Sequence, residues 1–112
     1  MIQQMYEFMN DLQLRTHFDE LKDLTHFTFN SYPNLSINEN VLTDIDINLP
    51  NLQYLDFYPN IVATEWTAHI LSRLSRLEDI IVTVKGESVC NTIETNLRNN
   101  CKKINSIYMK YY

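Results

Sequence analysis

The chain has 112 residues, a formal net charge of −5, two cysteines, one glycine and three prolines. That length suits one small domain, and the acidic balance argues against nucleic acid, which needs a clustered basic face. No apolar run approaches a bilayer span, and the first residues lack the basic and apolar regions of a signal peptide, so we expect no membrane association. Two cysteines without a secretory context predict reduced thiols in a cytoplasmic protein.

The first expected element is helical. Met5, Phe8, Met9 and Leu12 recur at helical spacing and predict a helix within residues 2–14, although a strand ending near position 14 remains open. We therefore assign residues 1–20 to an N-terminal helical segment or cap. If these apolar residues are uncovered, they predict self-association through an open N-terminal end.

Strands and helices then alternate along the rest of the chain. Strands are predicted where the apolar period is two, at residues 24–30, 55–57, 80–84 and 107–109. Helices are predicted between them, at residues 41–49, 64–74 and 88–97. Thr64 and Ser88 are the expected N-caps of the last two helices, and Trp66 is predicted to be buried. Such alternation implies parallel strands.

One apolar pattern occurs four times. The copies are Leu24-x-x-Phe27-x-Phe29, Leu52-x-x-Leu55-x-Phe57, Leu77-x-x-Ile80-x-Val82 and Ile104-x-x-Ile107-x-Met109. Each copy has an apolar residue three places upstream, at Leu21, Leu49, Leu74 and Cys101. The central residues are 28, 25 and 27 positions apart, a period typical of solenoids. An ordinary α/β domain with several such segments remains the alternative.

These residues resemble leucine-rich repeats, whose consensus reads LxxLxLxxN or C. Residues 49–60 match the general consensus best, and residues 89–109 resemble the cysteine-containing subtype common in F-box proteins. The resemblance covers residues 21–112 and implies a short α/β solenoid with about four parallel strands on its concave face and helices on its convex face. The pattern departs from the family at the consensus asparagine, which only Asn60 supplies, and no F-box segment is recognisable.

The outward strand positions form the candidate binding surface. Tyrosines and polar side chains on a concave sheet face suit protein recognition. The predicted protein-binding residues are His26, Thr28, Tyr54, Asp56, Tyr58, Asp79, Thr83, Tyr108 and Lys110, and the same alternation adds Asn30, Ile81 and Ser106. The resemblance implies a non-enzymatic protein-interaction module, similar to the substrate-recognition repeats of an F-box-type ubiquitin-ligase adaptor.

No catalytic residue, metal or cofactor is predicted. Two cysteines and three histidines lack zinc-ligand spacing, and a single glycine cannot build a phosphate-binding loop. Cys101 is expected to be a buried small hydrophobe, and Cys90 is expected to be partly exposed. Two alternatives stay open: a small α/β enzyme with its site at the strand C-termini, and a structural fragment of a longer array. The enzyme would require His26, Asp56, Asp79 and a thiol within reach of one another.

Overall fold

The computed structural model describes residues 3–6, 22–29, 39–58 and 61–111. The strands are β1 Gln3–Tyr6, β2 His26–Phe29, β3 Tyr54–Asp56, β4 Val62–Ala63, β5 Asp79–Val84 and β6 Ser106–Tyr111. The helices are a 3-10 helix Glu39–Leu42, α1 Ile45–Asn48, α2 Glu65–Leu71 and α3 Glu87–Asn100. Within these ranges, no helix combines the length and apolar character that crossing a bilayer requires.

All strand pairs of the single sheet are parallel, as the alternation of strands and helices predicts. Strands β1, β2, β3, β5 and β6 lie side by side in chain order. Strand β6 pairs with β5 along its whole length, so β3 and β4 share the opposite edge of β5 end to end. The register aligns equivalent repeat positions, because Phe27, Leu55, Ile80 and Ile107 form one row across the sheet.

The N-terminal segment differs from the helical prediction. Residues 3–6 form β1, which pairs with β2 and extends the same sheet. The helical spacing of Met5, Phe8, Met9 and Leu12 is therefore overridden at Met5, because pairing along β2 satisfies the backbone groups of this segment. Residues 7–21 lie outside the described residues, and with them Phe8, Met9 and Leu12 of the apolar end predicted to self-associate.

Helices cover one face of the sheet and bury the repeated apolar positions. Leu24, Leu52, Leu55, Phe57, Leu77, Ile80 and Val82 are inaccessible to solvent or nearly so. Cys101 is also buried, as its repeat position predicts. Ile104 and Ile107, predicted to belong to the same core, are only partly buried. They differ because they belong to the last unit, beside which the described residues place no further strand.

Backbone hydrogen bonds repeat from unit to unit. At the start of β3, β5 and β6, two successive N–H groups donate to one carbonyl of the preceding unit, at 2.6 to 3.1 Å. The accepting carbonyls are those of Thr25, Gln53 and Glu78. The turn before each of these strands closes with a bond between two residues three apart, Leu52 to Leu49, Leu77 to Leu74 and Ile104 to Cys101. The equivalence seen in the side-chain pattern thus extends to the backbone.

The N-terminus of α2 follows the Thr64 prediction, but its buried face differs from the expected one. The Thr64 N–H donates to Thr67 Oγ1 at 3.0 Å, and both hydroxyls donate to the Glu39 carboxylate. Trp66, predicted to be buried, is 36% exposed because the buried stripe runs through Thr67, Ile70, Leu71 and Leu74 instead. The Ser88 prediction is wrong by two positions, since α3 begins at Glu87 after Gly86.

Candidate functional site

The sheet face opposite the helices carries the predicted binding residues in rows. In the first row, His26, Tyr54, Asp79 and Ser106 are register neighbours on β2, β3, β5 and β6. The His26 and Tyr54 rings stack with centroids 5.6 Å apart, and the Ser106 hydroxyl donates to Asp79 Oδ1 at 2.7 Å. The row therefore pairs two flat rings on one side with a hydrogen-bonded carboxylate on the other.

The second row lies one pleat further along the strands. It contains Thr28, Asp56, Ile81 and Tyr108, again as register neighbours. Asp56 Oδ1 accepts a hydrogen bond from the Tyr58 N–H at 3.0 Å, which fixes the chain as it leaves β3. Tyr108 is 57% exposed and Ile81 is half-buried, so the row offers apolar as well as polar contact area.

A lysine and two tyrosines form the third part of the face. The Lys110 ammonium lies 4.3 Å from the centroid of the Tyr58 ring and 5.5 Å from that of Tyr108. A cation over an aromatic face is attracted by the ring quadrupole, which restrains all three side chains. Tyr58 nevertheless stays 40% exposed and available for contact.

Thr83 does not belong to the exposed face as predicted. Thr83 has an outward position in the alternation of side chains along β5, as predicted, yet only 2% of its surface is accessible. Thr83 pairs with Val62 on one side and with Lys110 on the other, and Lys110 reaches Tyr58 across it. The neighbouring side chains therefore cover Thr83, and its hydroxyl oxygen is buried without a hydrogen-bond partner. Alternation gives the direction of a side chain but not what lies over it.

Partial burial and neighbouring charges shift two pKa values on the face. Burial is the main reason why the pKa of Tyr54 is raised, and the carboxylates of Asp56 and Asp79 add to it. Burial also raises the pKa of Asp56, although the Tyr58 N–H and the Lys110 charge act in the opposite direction. The two carboxylates therefore disfavour ionisation of the Tyr54 phenol, which keeps its hydroxyl proton for a hydrogen bond.

The groups that the enzyme alternative requires do not converge. Both cysteines are buried in the core with the helices, and the prediction that Cys90 is partly exposed is wrong. Burial raises the pKa of the Cys101 thiol to about 11, which disfavours the nucleophilic thiolate. On the exposed face, Tyr54 separates His26 from Asp79 by two strand spacings, roughly 9–10 Å. Within the described ranges, no three His, Cys, Asp or Glu residues form a cluster that could hold a metal ion.

Sequence reasoning missed two features of the sheet. The two-residue strand β4 is too short for a periodicity signal, although its pairing beside Thr83 helps to bury that residue. It also missed a contact on the other face, where the Cys90 thiol donates to the Tyr111 hydroxyl at 3.5 Å. Neither the strand nor the contact has a sequence spacing that would predict it. Asn30, assigned to the face by alternation, lies outside the described residues.

Comparisons of this chain with family models, with curated proteins and with solved structures find no match. The face must therefore be interpreted from its own chemistry. It presents exposed tyrosines, two carboxylates, one lysine and an apolar centre on a parallel sheet. Such a mixture resembles the aromatic-rich, partly polar composition of protein-binding surfaces.

Proposed function

We propose that this chain is a protein-interaction module that holds its partner on the exposed face of the sheet. The observation that carries the proposal is that Tyr54, Asp56, Tyr58 and Tyr108 share that face, where Lys110 contacts the rings of both Tyr58 and Tyr108 and these two tyrosines are well exposed. Tyrosine supplies a large contact area together with a hydroxyl, which is why tyrosines often dominate binding energy.

A leucine-rich-repeat solenoid is the architecture we propose for this module. Strands in chain order, helices on one face and the recurring backbone bonds at each strand entry all support it. Side-chain bonds also link successive turns, since Asn51 donates to the Lys22 carbonyl and accepts from Arg76. Each unit then buries its apolar side chains against those of the neighbouring units, and the opposite face of its strand remains free for a ligand.

The restrained side chains of the face suit recognition of a folded or extended protein surface. The stacked His26 and Tyr54 rings and the Lys110 contacts fix several side chains before a partner arrives. A surface ordered in advance loses less conformational entropy on binding than a mobile one. By resemblance, the partner would correspond to the substrate of an F-box-type ubiquitin-ligase adaptor, and ligase docking would lie outside this face.

The test compares partner capture by the wild type with capture by single variants. Tyr58→Ala should reduce recovery of specific partners from cell lysate, because a tyrosine at the centre of an interface typically contributes about 2 kcal/mol or more. Trp66→Ala is the matched control, since it removes an exposed aromatic from α2, away from the face. Glu94→Ala on the exposed side of α3 is a second control.

Circular dichroism and urea denaturation must show that all variants remain folded. We expect loss of the same partners in Tyr58→Ala and Tyr108→Ala, with wild-type recovery in the two controls. Equal recovery by all five proteins would refute the binding-face assignment while leaving the fold untouched. Loss in Trp66→Ala alone would move the interface to the helical side.

A further inference from the structure

The last strand leaves part of the core uncovered. The inward residues of β5, Ile80 and Val82, are completely buried, whereas their register neighbours Ile107 and Met109 on β6 remain partly exposed. Tyr111, the third inward residue of β6, is 70% exposed. An apolar end of this kind is the feature that repeat architectures normally cover with a cap or a neighbour.

The outer edge of β6 also has unpaired backbone groups within the described part of the chain. Among the described strands, β6 pairs with β5 only, and the Ser106 N–H donates towards β5, to the Glu78 carbonyl at 3.1 Å. Because backbone groups alternate along a strand, those of Ile107, Met109 and Tyr111 point to the outer edge. A six-residue edge strand without a partner is a template for pairing with another strand.

We propose that β6 is a dimerisation edge, where two copies of this chain pair their β6 strands antiparallel around a two-fold axis at Met109. That register uses every outward-pointing backbone group, since Met109 faces Met109 and Ile107 faces Tyr111 of the second copy. About six N–H···O bonds then join the two sheets into one. The partly exposed side chains of Ile107 and Met109 and the largely exposed side chain of Tyr111 then contact those of the second copy, so that each copy shields the other's from solvent.

The same register suits the other face of the strand. Tyr108 lies directly opposite Lys110 of the second copy, in a pair without backbone hydrogen bonds, where side chains are closest. Lys110 already contacts the Tyr108 ring within one chain, so the pairing repeats a contact that these side chains favour. No like charges oppose each other along the paired strands, because Lys110 is the only charged residue of β6.

Symmetry favours the antiparallel arrangement. Antiparallel pairing about a two-fold axis closes the assembly at two copies, whereas head-to-tail stacking of β6 on β1 would continue into fibres.

The experiment measures the mass of the chain by sedimentation equilibrium over a wide range of protein concentration. Wild-type protein should form a reversible dimer. Met109→Lys should weaken dimerisation by at least about tenfold, because it places two ammonium groups against each other at the axis. Ile47→Lys is the matched control, since it adds the same charge at a position that is 66% exposed on α1.

A second variant tests the position of the axis. Met109→Cys should form a disulfide-linked dimer under mild oxidation, and Ile47→Cys should not. The native Cys90 and Cys101 are buried and therefore should not cross-link. A monomer at every concentration would overturn the proposal. So would a dimer that is unaffected by Met109→Lys and not cross-linked through Cys at 109, which would indicate another surface, and so would an assembly that keeps growing.

Discussion

Two adjacent isoleucines on β5 provide a direct test of how the sheet is oriented. Ile80 is completely buried between Leu55 and Ile107, whereas Ile81 lies on the exposed face between Asp56 and Tyr108. The same substitution at the two positions changes the same atoms in the same strand. Only the environment differs, so the pair isolates the contribution of burial.

Ile80→Ala should lower the free energy of unfolding by about 3–4 kcal/mol, within the range of 2–5 for buried isoleucine. A value above the lower limit of the range is expected because the register neighbours leave little room for the cavity to collapse. For a small domain this is a large share of a total stability of about 5–15 kcal/mol. Ile81→Ala should cost less than about 1 kcal/mol, a β-propensity effect.

Urea denaturation followed by circular dichroism measures both changes, with the slope of the transition serving as a check on two-state behaviour. The protein should be kept at a low concentration, so that association through β6 does not contribute to the measured stability. Equal losses at the two positions, or a larger loss for Ile81→Ala, would refute the assignment of buried and exposed sheet faces.

Two further predictions concern a buried hydroxyl, that of Thr83, and a half-buried carboxyl group of the exposed face, that of Asp56. Thr83→Val should stabilise the fold by about 1 kcal/mol in the same assay, because it replaces a buried hydroxyl without a partner by a methyl group; a clear loss of stability would show that the hydroxyl is satisfied. Asp56→Asn should stabilise the protein at neutral pH and have no such effect below the ordinary pKa of 3.8, as urea midpoints across the acid range would show. The raised pKa means that the folded state disfavours the Asp56 carboxylate. Relative to the Asn variant, the wild type is therefore most stable below the pKa that Asp56 has in the unfolded chain, and it loses stability as the pH rises through the pKa of the folded state. A midpoint difference that is independent of pH would contradict this reasoning.

Sequence patterns alone determined much of this architecture. The recurring LxxLxL pattern identified β2, β3, β5 and β6 and the side of each strand that faces the core. An apolar period of two fixes that side, because only one face of the sheet is buried. It also identified Tyr54, Asp56, Tyr58 and Tyr108 as outward-facing. The spacing of Thr64 from the residues that follow indicated the start of α2.

Tertiary contacts decided the features that depend on distant neighbours. Residues 3–6 pair along β2 although their surroundings have helical spacing, because a strand edge offers backbone partners that local propensity cannot anticipate. Thr83 is buried because Lys110 reaches Tyr58 across it, and Trp66 is exposed because the stripe of α2 that packs on the core is offset from it by one residue. Ile107 has the same repeat position as Ile80 yet remains partly open, since burial at an edge depends on what lies beside the strand and not on the residue itself.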